Sequence, residues 1–107
     1  MFKIYDLVIV GAGPAGLASE VYAKRRRVDS LILEASNQAG GMLASVYPDK
    51  EIDDYPGFPT PIKGADLACL MYQHARNMDL NIKFNQCVQG FVIKKSERLH
   101  SVIVSTV

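Results

Sequence analysis

The first apolar run, Tyr5-Asp6-Leu7-Val8-Ile9-Val10, has the length and β-branched content of a buried parallel strand, predicted over 5–10. Good helix formers follow Pro14 and predict a helix over 14–26. Ser30-Leu31-Ile32-Leu33, ending in Glu34, predicts a second strand over 30–34. Further on, Leu67, Leu70, Met71, Ala75 and Met78 recur at helical spacing and predict a helix over 64–78 with those residues in the core. Asn81 to Phe84 reads as a third strand. Residues Cys87 to Lys94 and Leu99 to Val107 read as two more, joined by a turn over 94–98. Between the two helices, 42–46 reads as a short extended piece. The stretch 47–61 holds Pro48, Pro56, Pro59 and Pro61 and cannot be a regular helix. Strand, helix and strand in this order, with right-handed crossovers, predict an α/β three-layer, Rossmann-like domain with a parallel sheet and a β-meander from Cys87 on.

Composition narrows the picture. With 107 residues, 49% of them hydrophobic, the chain can build one core and not two. Twelve basic against eleven acidic residues leave a net charge of +1, which provides no field for nucleic acid or an anionic membrane. Gly11 interrupts the first apolar run long before it could serve as a signal core or a membrane span, so a cytoplasmic location is expected. Cys69 and Cys87 have no metal-ligand or redox spacing and are expected to be ordinary buried thiols. Lys24-Arg25-Arg26-Arg27 reads as a solvated last helical turn, where cations oppose the helix dipole. His74 is expected to be packed or half-exposed. The β-branched strand 102–107 would leave an unpaired edge, so the expected context is a longer protein cut within or just after the meander. Pairing of that strand with another copy, and a homodimer as the assembly, are further expectations.

The candidate chemistry lies at Gly11-Ala12-Gly13-Pro14-Ala15-Gly16, a GxGxxG between the first strand and the first helix. In such a turn the first glycine permits the bend, the second lets backbone amides approach a diphosphate, and the third lets helix pack on strand. Pro14 lacks an amide that would need a partner in the first helical turn. The remaining free N–H groups and the positive dipole end face an anion. Glu34, about 20 residues on at the end of the second strand, is placed to accept both ribose hydroxyls of an adenosine half, and would repel a 2′-phosphate. The bland alternative is a structural turn beside a solvated strand end.

Together with Gly40-Gly41 and the proline-rich stretch, these residues resemble the N-terminal FAD-binding part of the low-molecular-weight thioredoxin reductase family. Ser45-Val46-Tyr47-Pro48-Asp49-Lys50 and Asp54-Tyr55-Pro56-Gly57-Phe58-Pro59 are most similar to the thioredoxin-reductase-like ferredoxin–NADP reductases. The resemblance implies FAD at this site, with the diphosphate on Gly11, Gly13, Pro14, Ala15 and Gly16 and the adenosine ribose on Glu34. It implies Gly40, Gly41 and Leu43 along the ribityl chain and flavin, and Tyr47 stacked on the isoalloxazine. Asp54 would lie near the pyrimidine edge and the backbone of Val88 against adenine. The family usually has Gln where this chain has Met42, whose thioether is a weaker acceptor. It further implies an NADPH-binding domain outside this chain and an electron acceptor that is ferredoxin or a disulfide such as that of thioredoxin. A non-catalytic FAD- or NAD-binding module and a truncated remnant remain the alternatives. Tyr47 beside Gly40-Gly41 favours a flavin over NAD.

Overall fold

The computed structural model describes residues 3–97 and 100–107. Three short strands, β1 (Leu7–Val10), β2 (Ser30–Leu33) and β5 (Ile82–Lys83), form a parallel sheet in the order β1-β2-β5. Helix α1 (Pro14–Arg25) makes the crossover between the first two. Four elements separate β2 from β5: α2 (Met42–Ser45), the two-residue strands β3 (Glu51–Ile52) and β4 (Ile62–Lys63), and helix α3 (Gly64–Asn77). A long antiparallel hairpin, β6 (Val88–Lys95) and β7 (His100–Thr106), makes its own two-stranded sheet.

The register explains where the core sits. Ile9 pairs with Ile32, and Ile32 with Ile82, so three isoleucines stand in one row across the sheet. Alternation puts all three on one face. Leu17 and Val21 of α1 and Met71, Tyr72 and Ala75 of α3 close over that row, so both helices lie on the same side. Ile32, Leu67 and Ala75 are fully enclosed.

Beneath the helix layer lies a buried acid that the hydrophobic pattern does not reveal. Glu20 of α1 is 0% exposed. Its carboxylate accepts from the Ser30 hydroxyl and from the Asn81 amide at 2.9 Å, while the Asn81 side chain donates to the Ser30 carbonyl at 3.2 Å. One side chain thus ties α1 to the start of β2 and the approach to β5. Both carboxylate oxygens are satisfied, which is the condition for burying such a group.

Several expectations change. Residues 42–46 are not extended: Gly41, in the left-handed region at φ 58°, leads into the single turn of α2. There the amides of Val46 and Tyr47 both donate to the Met42 carbonyl, each at 2.8 Å. Leu70 is 46% exposed rather than in the core. It lines an open groove of about 580 Å³ between α1 and α3, which also receives Tyr55 and Phe58 of the proline-rich stretch. Cys69 and Cys87 are both exposed thiols, and neither belongs to the core around the isoleucine row. His74 is exposed on the groove's rim. The turn expected over 94–98 begins later, since β6 runs through Lys95, and its Arg98 lies outside the described residues. Phe91, Val92 and Ile93 are each more than half exposed, so both faces of the hairpin are open. The molecule extends 52 Å along its longest axis.

Candidate functional site

The glycine turn closes one end of the sheet. Gly11, with φ 99°, donates its amide to the Leu33 carbonyl at 2.9 Å, so the bend is anchored to the end of β2. Gly13 caps α1 with no side chain bonded to the turn, and Pro14 is the first helical residue. The first helical bond is Leu17 N–H to the Gly13 carbonyl at 2.9 Å. The amides of Ala15 and Gly16 therefore precede the helical ladder. No acidic side chain of α1 itself stands in this first turn to take these amides.

Helix α3 is different at the same position. Its first amides are taken by the preceding loop: Gly64 N–H donates to the Lys50 carbonyl and Ala65 N–H to the Pro48 carbonyl, each at 2.9 Å. Asp66 adds a negative charge in that first turn. Of the two long helices, only α1 presents a terminus suited to an anion.

Space around the glycines separates those the fold needs from those that leave room. A Cβ on Gly16 would overlap the Gly11 carbonyl oxygen and stand 2.9 Å from its carbon. The third glycine is thus a helix-on-strand contact. A Cβ on Gly13 would make ordinary contact with the Gly41 Cα, at 3.7 Å, so the packing of the fold does not itself demand the second glycine. Gly40 donates its amide to the Ala12 carbonyl at 2.8 Å, which joins the Gly40-Gly41 loop to the glycine turn.

Glu34 completes the cluster. Its Oε1 accepts from the Ala12 amide at 2.8 Å and its Oε2 from the Ser36 amide at 2.7 Å. Partial burial raises the carboxyl pKa, but the Ser36 and Ala12 amides and the Ser36 hydroxyl outweigh it, and the net shift is downward. The group is therefore a fixed carboxylate, held in the middle of the glycine turn. With one amide bond fixed on each oxygen, the carboxylate can also accept hydroxyl donors.

The predicted residues divide by how firmly they join this cluster. Gly11, Gly13, Pro14, Ala15, Gly16, Glu34, Gly40 and Gly41 come together. Leu43 follows on α2, half-buried, with its carbonyl close to Gly64. Tyr47 lies just after α2 and keeps 39% of its surface exposed. Val88 starts β6 two residues after Gln86, whose amide donates to the Glu34 carbonyl at 2.9 Å. It is thereby placed near the carboxylate's strand end. Asp54 is exposed in the proline-rich stretch, with no bond to the turn.

Ala12 and Ser36, whose amides orient Glu34, were not singled out from sequence, and Gly64 was read only as marking the start of the second helix. A Cβ on Gly64 would overlap the Tyr47 carbonyl oxygen and stand 2.9 Å from that of Leu43. Only the smallness of Ala12 between two glycines, and Ser36 two residues after the acid, were legible signals. Among the described residues no group of acidic, His or Cys side chains is arranged for a metal, and no helix is long and apolar enough to cross a membrane.

Residues 9–60 match the family of NAD(P)-binding Rossmann-like domains. The chain is 38% identical over 88 residues to a ferredoxin–NADP reductase 2 of Listeria monocytogenes, covering 82% of this chain and 26% of that protein. It is 39% identical over 106 residues to a ferredoxin–NADP reductase of Streptococcus pneumoniae, covering 94% of this chain and 33% of that one. Its fold superposes on the thioredoxin reductase of T. acidophilum with a TM-score of 0.73 and 36% identity, over 95% of this chain and 32% of the other. The chain thus spans between about a quarter and a third of the relatives it matches. Its Rossmann-like α/β fold is thus shared with a part of these ferredoxin–NADP reductases and thioredoxin reductases.

Proposed function

We propose that this chain holds FAD non-covalently as the flavin-binding portion of a pyridine-nucleotide-dependent oxidoreductase. The observation that carries the reading is the Glu34 carboxylate bonded to the Ala12 amide, because it makes the anion-binding turn and the hydroxyl acceptor one rigid site. The diphosphate lies on the amides at the start of α1, over Gly11, Gly13, Pro14, Ala15 and Gly16. Glu34 accepts the ribose hydroxyls. Val88 lies at the adenine, Gly40, Gly41 and Leu43 follow the ribityl chain, Tyr47 stacks on the ring system and Asp54 borders its pyrimidine edge. The missing side chain at Gly13, which the fold's packing does not demand, suits this group, since a diphosphate needs close approach to backbone there.

When bound, FAD supplies the exchange between a two-electron hydride donor and the outgoing electrons. The residues of this chain bind and orient it: amides hold the diphosphate, Glu34 excludes a 2′-phosphorylated ribose by charge, and Tyr47 covers one side of the ring. In the whole protein the electron source is NADPH, held by a domain outside residues 1–107, and the acceptor is ferredoxin or a thioredoxin-like disulfide. The relatives' names support that assignment, and a homodimer in the cytoplasm is the proposed setting.

Titration of the full-length apoprotein that carries this chain with FAD, alone and in competition with a 2′-phosphorylated adenine nucleotide, tests the reading. FAD binds and the 2′-phosphorylated nucleotide is disfavoured; Glu34→Arg weakens FAD and narrows the difference. Absence of FAD binding at millimolar concentration, or FAD binding indifferent to Glu34→Arg, overturns it.

A further inference from the structure

Tyr47 and Lys50 form a closed turn whose backbone is fixed on every side. Tyr47 N–H donates to the Met42 carbonyl at 2.8 Å, and Lys50 N–H to the Tyr47 carbonyl at 3.2 Å. The carbonyls of Pro48 and Lys50 accept from the first amides of α3, and Gly64 leaves no room for the turn to sink further toward that helix. The side chains, by contrast, stand in solvent: Tyr47 is 39% exposed and Lys50 is exposed.

The Lys50 ammonium lies over the Tyr47 ring, 5.4 Å from its centroid. That is within the range of an attractive cation–π contact. Four carboxylates lie in the same stretch, on Asp49, Glu51, Asp53 and Asp54, yet among the described residues the one ion pair is Lys3 with Asp29 at 3.6 Å. The cation therefore stands on the ring and not on a neighbouring acid. A ring has two faces, and an ammonium on one leaves the other for a planar partner.

We propose that Lys50 is a positioning residue for the flavin: its ammonium occupies one face of the Tyr47 ring and presets the opposite face for stacking on the isoalloxazine. The proposal rests on the FAD reading above. Without the cation the fixed turn still carries Tyr47, but the ring is free to rotate about its side-chain torsions. Stacking must then order it at the moment of binding, and affinity falls by that cost. An exposed cation–π contact corresponds to a change of about two- to fivefold in the dissociation constant.

The test uses FAD titrations of the full-length apoprotein that carries this chain and of its variants Lys50→Met, Lys50→Arg, Tyr47→Leu and the double variant Lys50→Met/Tyr47→Leu. It reads both the dissociation constant and the emission of bound flavin, which a stacked phenol quenches. Lys50→Met weakens binding by about two- to fivefold and brightens the bound flavin, and Lys50→Arg, which keeps a cation for the ring, restores both. In the Tyr47→Leu background Lys50→Met has no further effect. Equal weakening by Lys50→Met with and without the Tyr47 ring assigns Lys50 to the diphosphate instead and overturns the proposal, as does an unchanged emission. A wild-type full-length protein that binds no FAD removes the parent reading as well. A wild-type full-length protein that binds with quenched emission, beside a silent Lys50→Met, removes this inference alone.

Discussion

Gly16→Ala and Gly13→Ala add the same methyl group three residues apart in one turn, and the structure gives them opposite consequences. At Gly16 the new Cβ overlaps the Gly11 carbonyl oxygen and lies 2.9 Å from its carbon, both of them backbone atoms that no rotamer change can clear. Relief requires α1 to lift from β1 or the bend to move. The bend is held by Gly11 N–H on the Leu33 carbonyl at 2.9 Å and by Ala12 N–H on Glu34 at 2.8 Å. Overpacking of this kind costs about 1–3 kcal/mol, and alanine's better helix propensity returns about 0.5–1 kcal/mol. The expected net loss is about 1–2 kcal/mol, a fall of about 1 M in the urea midpoint for a chain of this size.

At Gly13 the methyl meets only the Gly41 Cα at 3.7 Å, and φ of −77° with ψ of −171° is open to any residue. The fold loses only glycine's modest advantage at a helix N-cap, about 0.5 kcal/mol. The methyl instead enters the space through which a diphosphate reaches the amides, so FAD affinity falls by about tenfold or more, equivalent to about 1.4 kcal/mol. Urea unfolding followed by circular dichroism gives the first quantity and FAD titration under native conditions the second. If Gly16→Ala unfolds at the wild-type midpoint, or if Gly13→Ala destabilises the free chain as much as Gly16→Ala does, the assignment of separate roles to the two glycines is wrong.

Three further perturbations follow from the same geometry. Gly64→Ala drives a Cβ into the Tyr47 carbonyl oxygen, and the expected loss of about 1–3 kcal/mol is measurable in the unfolding midpoint; a thermally indifferent variant would show that the turn yields freely. Glu20→Ala leaves the Asn81 amide without its buried acceptor and opens a cavity, so a loss of about 2 kcal/mol or more is expected by denaturant titration. Glu34 has a lowered folded-state pKa, so its contribution is complete above the unfolded glutamate value of about 4.3 and is lost as pH falls through the folded value. The stability difference between wild type and Glu34→Gln should therefore be flat from neutrality down to mildly acidic pH and shrink below it; a difference that grows on acidification would reverse the sign of the shift.

Much of this site was legible because its chemistry is local to the chain. The Gly11 to Gly16 turn, the strand ending in Glu34 and the helix after Pro14 follow one another within a single crossover, and the periods of 2 and 3.6 that announce strand and helix are unambiguous there. The helix predicted over 64–78 appears as Gly64–Asn77 for the same reason. What stayed hidden depends on partners distant in sequence. Leu70 has the spacing of a core residue, yet its stripe meets a groove instead of a closed interface. The four residues of α2 are fewer than any helical period can reveal. Glu20 lies on α1 with nothing in the local pattern to mark its burial, since its partner Asn81 is 61 residues later.

That last separation bears on the order in which the chain assembles. Before β5 is in place the Glu20 carboxylate has no Asn81 amide to accept from, and water is the better host for its charge. Burial of the acid and arrival of the third strand therefore have to coincide, late in folding, because a loop of that length must close first. A chain collapsed on β1, α1 and β2 alone would keep the carboxylate at its surface, and the cover over the isoleucine row would stay ajar. Glu20 thus acts as a latch that shuts only on the complete sheet, and the Asn81 amide should be among the last to gain protection from hydrogen exchange during refolding.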